Sequence, residues 1–212
     1  MRTRQKLEPE VNACLRAGDI EGAAARVVHA FGPGVLGYLR VALCDDRAAR
    51  DAFSVFSESV WNGLRRKRGE KSLASWVYRL AFTAAKRQRS AAKGAGRRGS
   101  RGGRTGVREL DATRAATLEP FGAVEDAELL RRELTLEEQT LLTLRIDRGF
   151  DYAEIGWVMG RAATDATMRR SYERLVARLH RLAVMRGVIA PGPLPANVTT
   201  LSTTRRSGTR DA

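Results

Sequence analysis

Two helix-start signals close together constrain this chain more than any other feature. In Thr135-Leu-Glu-Glu138, and again in Asp151-Tyr-Ala-Glu154, a side chain with a short oxygen arm stands three residues before a glutamate. That spacing is a capping box: the first side chain accepts a free amide of the new helix, and the glutamate reaches back to the amide of the first residue. Each start has its stop. Gly149 follows the first helix and Gly160 the second, where a left-handed residue ends a helix at little cost. The second helix is short, with Tyr152, Ile155, Val158 and Met159 as inward candidates. A turn, Arg161-Ala-Ala-Thr-Asp165, then leads into a long helix from about Ala166 through Arg186. A short helix, a turn with glycine and a longer helix make a helix-turn-helix, whose second helix enters the major groove with its early residues against base edges.

The long helix carries the chemistry for that task. Thr167, Arg169, Arg170, Arg174 and Arg178 project from it as DNA-binding candidates, while Met168, Leu175, Leu179 and Leu182 supply an apolar stripe. A guanidinium presents a planar fork that pairs with guanine O6 and N7, or with a phosphate, more selectively than a lysine point charge. The plain alternative is a solvated helix face, because charged outer faces are common on helices of globular proteins.

Upstream, the apolar spacing is again helical. Asp19 caps a helix with Ile20, Ala24, Val27, Val28 and Phe31, which Gly32-Pro33-Gly34 is expected to end. Val35, Leu36, Leu39 and Leu43 then form a second helix. Asp45 or Asp46 caps a third, with Ala49, Ala52, Phe53, Phe56, Val60 and Leu64 on one stripe. A basic loop at 65–71 precedes a fourth helix from about Ser72, whose inner face is Leu73, Trp76, Val77, Leu80, Ala81 and Ala84 and whose basic residues are Arg79, Lys86, Arg87 and Arg89. The organisation read from this is all-α with two small helical domains: an N-terminal extension at 1–18, a first domain at 19–90, a flexible Gly/Arg-rich linker at 91–123, a second domain at 124–190 and a disordered tail at 191–212. The linker has almost no large apolar residue and so cannot bury enough surface to fold. As a coil of roughly 30 residues it would span on the order of 30 Å.

Charge narrows the partners. Thirty-eight Lys plus Arg against 24 Asp plus Glu give a net charge of +14 over 212 residues, a balance that seeks a polyanion. No apolar run reaches the length of a membrane span, and Met1-Arg-Thr-Arg-Gln-Lys6 leads into no signal-peptide core, so a cytoplasmic location without membrane insertion is expected. Cys14 and Cys44 offer neither a disulfide framework nor a zinc pair and read as small buried side chains. His29 and His180 lie far apart, with no nucleophile elbow, phosphate loop or metal spacing nearby. The expectation is therefore a protein that is not an enzyme and needs no cofactor or metal.

Leu141-Leu-Thr-Leu-Arg145, Phe150-Asp-Tyr-Ala-Glu-Ile-Gly156 and Met159-Gly160 resemble the fourth conserved region of RNA polymerase sigma factors of the sigma-70 superfamily, above all the small extracytoplasmic-function (ECF) group. Asp45 to Trp61 resembles the family's second region, and Leu73-Ala-Ser-Trp-Val-Tyr-Arg-Leu-Ala81 its "Trp-Leu-x-x-Ile-Ala" segment. The resemblance covers roughly residues 20–90 and 124–186. It implies a factor that binds core RNA polymerase and directs it to promoter DNA in transcription initiation, with an anti-sigma factor as a common further partner in the family. On this chain it implies core-polymerase contacts at Asp51, Ser54, Glu58 and Trp61. It implies minus-ten contacts at Ser72, Trp76, Arg79, Lys86, Arg87 and Arg89, although the helical spacing of Trp76 favours the core over contact. Minus-thirty-five contacts fall on Thr167, Arg169, Arg170, Arg174 and Arg178. Two other classes compete: a helix-turn-helix transcriptional regulator that does not engage polymerase, and a basic nucleic-acid-coating protein that acts through the Arg/Gly-rich linker. Polymerase recruitment separates the first, and deletion of residues 94–106 the second.

Overall fold

The computed structural model of the protein describes residues 2–66, 71–99, 130, 133–161, 164–190 and 192. These residues form seven α-helices and one π-helical turn, with no strand among them, as the all-α expectation has it. In chain order the helices are α1 (Arg2–Arg16), α2 (Ile20–Leu43), α3 (Asp46–Leu64), α4 (Leu73–Gly99), α5 (Leu136–Leu142, running on into the π-turn Thr143–Asp147), α6 (Tyr152–Val158) and α7 (Asp165–Met185).

Several starts lie where the capping residues place them. Asp19 accepts the Gly22 amide at 2.7 Å and Asp45 the Ala48 amide at 2.8 Å. Each bond satisfies one of the amides that a helix leaves without an internal partner. The apolar stripes then turn inward: Val27, Phe31, Val35 and Leu39 of α2 and Ala49, Ala52, Phe56, Val60 and Leu64 of α3 are all buried.

Four local expectations are corrected. Gly32-Pro33-Gly34 does not end a helix; α2 runs through it. Pro33 and His29 both face solvent, so the His29 carbonyl that loses its i+4 amide can be met by water. Gly32 is buried beneath α3, where a Cβ would stand 3.4 Å from the Phe53 ring. Packing on both sides of the triplet therefore holds one helix where local propensity would break it. Second, the N-terminal extension supplies α1, which buries Leu7 and Val11 against the core. Third, α4 continues from Ser90 to Gly99, into what composition assigns to the linker. The rest of that linker, from 100 to 123, lies outside the described residues, as do 124–129 and, Gly192 apart, the expected tail. Cys44 is also exposed, contrary to expectation; it ends α2 in a left-handed conformation with φ of 52°.

The two halves that the sequence separates meet in the structure, and their buried side chains form one continuous cluster. Helix α4 packs against α5 and α6, and α2 against α5. Tyr78 of α4 sits at the centre of this seam. The Phe150 ring meets it edge-on at 5.5 Å, Tyr38 lies 6.1 Å away, and the Arg148 guanidinium lies over it at 5.6 Å while donating to the Gly34 carbonyl at 3.0 Å.

A buried hydrogen bond crosses the seam as well. The Thr140 hydroxyl lies 2.6 Å from the Leu136 carbonyl, to which it donates, and 2.9 Å from the Tyr38 hydroxyl. Thr140 has only one proton, so Tyr38 is the donor between them. Burial pushes the Tyr38 phenol far above its ordinary range, and it stays a neutral donor at any physiological pH. Tyr38→Phe is expected to lower stability by about 0.5–1.5 kcal/mol, because the acceptor left behind still makes its own bond. The urea midpoint measures this, and an unchanged midpoint would show that the bond contributes nothing.

Candidate nucleic-acid interface

The second half builds its helices from their caps. Thr135 accepts the Glu138 amide at 3.2 Å while Glu138 accepts the Thr135 amide at 2.8 Å. Asp151 accepts the Glu154 amide at 2.6 Å and Glu154 accepts the Asp151 amide at 3.3 Å. Gly149 and Gly160 take φ values of 69° and 67°, the left-handed region that a side chain makes costly. Thr164 caps α7 by accepting the Thr167 amide at 3.3 Å.

Helix α7 divides cleanly between faces. Met168, Tyr172 and Leu175 are buried against the rest of the fold, and Thr167, Arg169, Arg170 and Arg174 are exposed. Arg169 stands 3.9 Å from Glu173, a loose pair between half-exposed groups. Among the described residues Arg174 contacts the Arg170 carbonyl and the Ser171 hydroxyl, each at 3.4 Å. Exposed contacts of this kind hold a side chain weakly, which leaves the Arg174 guanidinium accessible to a polyanion.

Arg178 is used differently from its neighbours. Its guanidinium donates to Glu138 at 2.6 Å and to the Glu133 carbonyl at 3.0 Å, tying α7 to the start of α5. Arg161 binds Glu137 in the same way, and Arg186 reaches Glu133 at 2.6 Å. The sequence groups Arg178 with the DNA-facing arginines because its spacing is right; only tertiary packing brings Glu138, forty residues earlier, beneath it.

Partial burial alone would raise the Glu138 carboxyl. The Thr135 amide, Arg178 and the Thr135 hydroxyl together outweigh it and hold the group below the ordinary carboxylate range. A carboxyl lowered on folding stabilises the native state above its unfolded pKa of about 4.3, and that contribution is lost as pH falls through the folded value. Gln in place of Glu138 keeps the capping-box geometry and removes the charge. Glu138→Gln is therefore expected to cost about 1 kcal/mol or less at pH 7, with the gap to wild type closing in acid. Denaturant titrations at pH 7 and pH 3 check the sign; a gap that widens in acid would show that the carboxylate is not held down.

In the first half, Asp51, Ser54, Glu58 and Trp61 form a single exposed stripe along α3. Trp61 is 49% exposed, an unusual state for so large an apolar side chain. On α4 the six sequence candidates separate. Lys86 and Arg87 are exposed and Arg89 is half-buried. Trp76 packs inward, so close to α3 that a Cβ at Gly63 would stand 2.9 Å from its ring. Ser72 and Arg79 face α6.

At that junction the Ser75 hydroxyl donates to the Glu154 carboxylate at 2.9 Å; the Ser72 hydroxyl, 3.3 Å from the same oxygen, gives its one proton to the Ser75 hydroxyl at 2.8 Å. The Arg79 guanidinium lies 4.5 Å over the Trp157 ring and donates to the Trp157 carbonyl at 3.1 Å. Sequence reasoning missed Ser75, which is fully buried. Its signal was the Ser72-Leu-Ala-Ser75 spacing, since a serine three residues into a helix lies within reach of its cap; here the Ser75 amide donates to the Ser72 hydroxyl at 3.2 Å.

No described helix is long and apolar enough to cross a membrane. No protein-family model matches this chain, and no curated protein matches it.

Proposed function

We propose that the chain is a sigma-type transcription initiation factor that binds core RNA polymerase through its first half and promoter DNA through both halves. The observation that carries this is α7. A capped short helix and a left-handed glycine turn lead into a helix that buries Met168, Tyr172 and Leu175 and presents Thr167, Arg169, Arg170 and Arg174 to solvent. That is the form in which a recognition helix meets the major groove. The net charge of +14 supports a polyanionic partner, and the sequence resemblance to ECF sigma factors supports promoter DNA in particular.

In this proposal the residues act as binding groups and the chemistry belongs to the polymerase. Arg169, Arg170 and Arg174 read or clamp the minus-thirty-five element, with Arg178 holding α7 in place. Lys86, Arg87 and Arg89 hold backbone phosphates beside the minus-ten element, and Ser72 and Arg79 contact its displaced strand. The exposed stripe Asp51, Ser54, Glu58 and Trp61 docks on polymerase. An exposed aromatic flanked by charged residues suits an interface anchor.

Run-off transcription with purified core polymerase over a genomic promoter library tests the proposal. Start sites that depend on this chain are expected. Their absence, with a control factor active in the same assay, would favour a helix-turn-helix regulator that does not engage polymerase. Trp61→Ser is expected to weaken polymerase binding tenfold or more while leaving stability within about 0.5 kcal/mol, as at most exposed positions. Anisotropy of labelled protein titrated with core enzyme reads the affinity, and an unchanged value would remove α3 from the interface.

A further inference from the structure

The contact between α4 and α6 has the chemical form of a nucleotide held on a binding surface. Ser72, Ser75 and Arg79 lie along one face of the first two turns of α4, and what meets them is a carboxylate and an indole. Glu154 takes the Ser75 hydroxyl at 2.9 Å, which is itself backed by the Ser72 hydroxyl at 2.8 Å, as a phosphate oxygen would. Trp157, one turn further along α6, lies against the Arg79 guanidinium at 4.5 Å, as a base would in the arginine stacking common to single-strand binding. The Trp157 carbonyl accepts from Arg79 at 3.1 Å, as a base carbonyl would. Ordinary helix packing at this seam is supplied elsewhere, by Tyr78 against Phe150 and Tyr38 against Thr140.

We propose that α6 is an intramolecular occupant of a single-stranded DNA site on α4, with Glu154 in the place of a phosphate and Trp157 in the place of a base, so that the two halves must part before that strand can bind. This rests on the function proposed above and adds to it both Ser75 as a binding group and a closed state. A site covered for most of the time binds its ligand more weakly in proportion to the fraction that is open. Removing the occupant should therefore tighten binding.

The test uses the full chain and a fluorescein-labelled 20-nucleotide single-stranded DNA of random sequence. Glu154→Ala with Trp157→Ala is expected to bind it tenfold or more tightly than wild type. The Asp151 side chain still accepts the amide of residue 154 and keeps α6 capped; far-UV circular dichroism confirms the fold. Adding Arg79→Ala to this variant should return affinity to the wild-type value or below. In wild type, saturating single-stranded DNA should increase hydrogen exchange at the amides of residues 152–158, a measurement that needs no substitution. A folded double variant that binds no more tightly, or exchange at 152–158 that is unchanged or slowed by bound DNA, overturns the proposal. If run-off transcription succeeds in that case, the sigma-type function stands and the mimicry alone fails. If neither chain binds single-stranded DNA and no start sites appear, the functional proposal falls and takes the mimicry with it.

Discussion

Replacing Arg170 and Arg174 together by alanine is expected to reduce affinity for a duplex of the proposed promoter type on the order of a hundredfold while leaving the fold intact. Both side chains are exposed on α7. An arginine that pairs with guanine contributes about 1–3 kcal/mol of discrimination, and two such contacts about 2–6 kcal/mol if independent. The two stand one helical turn apart, so part of that sum is shared. Stability should move by no more than about 0.5 kcal/mol per site, because neither residue makes a buried contact. Competition binding against a scrambled duplex at two salt concentrations separates the possible roles. Base contacts relax preference at particular positions, whereas phosphate contacts weaken all sequences equally and lower the salt slope by about one each. Full retention of affinity would mean that α7 does not enter the groove.

The largest stability effect is expected at Phe56. Its side chain is fully buried in the α3 stripe, 5.6 Å from the Phe53 ring, and Phe56→Ala should cost about 3–5 kcal/mol through lost transfer energy and the cavity left behind. Against a typical domain stability of about 5–15 kcal/mol, that is enough to unfold a marginal protein at growth temperature. Phe56→Leu keeps most of the volume and should cost clearly less. Urea midpoints for the pair read the difference. Equal small losses would place α3 with another face inward, which would also remove Asp51, Ser54, Glu58 and Trp61 from the surface where polymerase is proposed to dock.

Both expectations come from features that are local in the chain. The capping boxes, the glycine stops and the alternation of Met168 and Leu175 with outward arginines follow from contacts within a few residues of one another, which is the range over which helix geometry acts. The stripe on α3 was legible for the same reason. Arg178 was not, because its partner Glu138 comes from another helix. Trp76 was legible from its spacing on the inner face of α4, and the absence of a side chain at Gly63 on α3 leaves room for its ring.

The sequence by itself therefore determined where most helices begin, which faces turn inward, and that a short capped helix precedes a long arginine-bearing one in a strongly basic chain. Tertiary structure decided that α2 continues through Pro33, since only packing against α3 and exposure of His29 make that break tolerable. It also decided that the two halves meet, with Glu154 on Ser72 and Ser75 and Trp157 on Arg79. Those pairs lie some eighty positions apart in the chain. Hydrophobic periodicity marks which face of a helix is buried, but it carries no information on which distant helix will cover it.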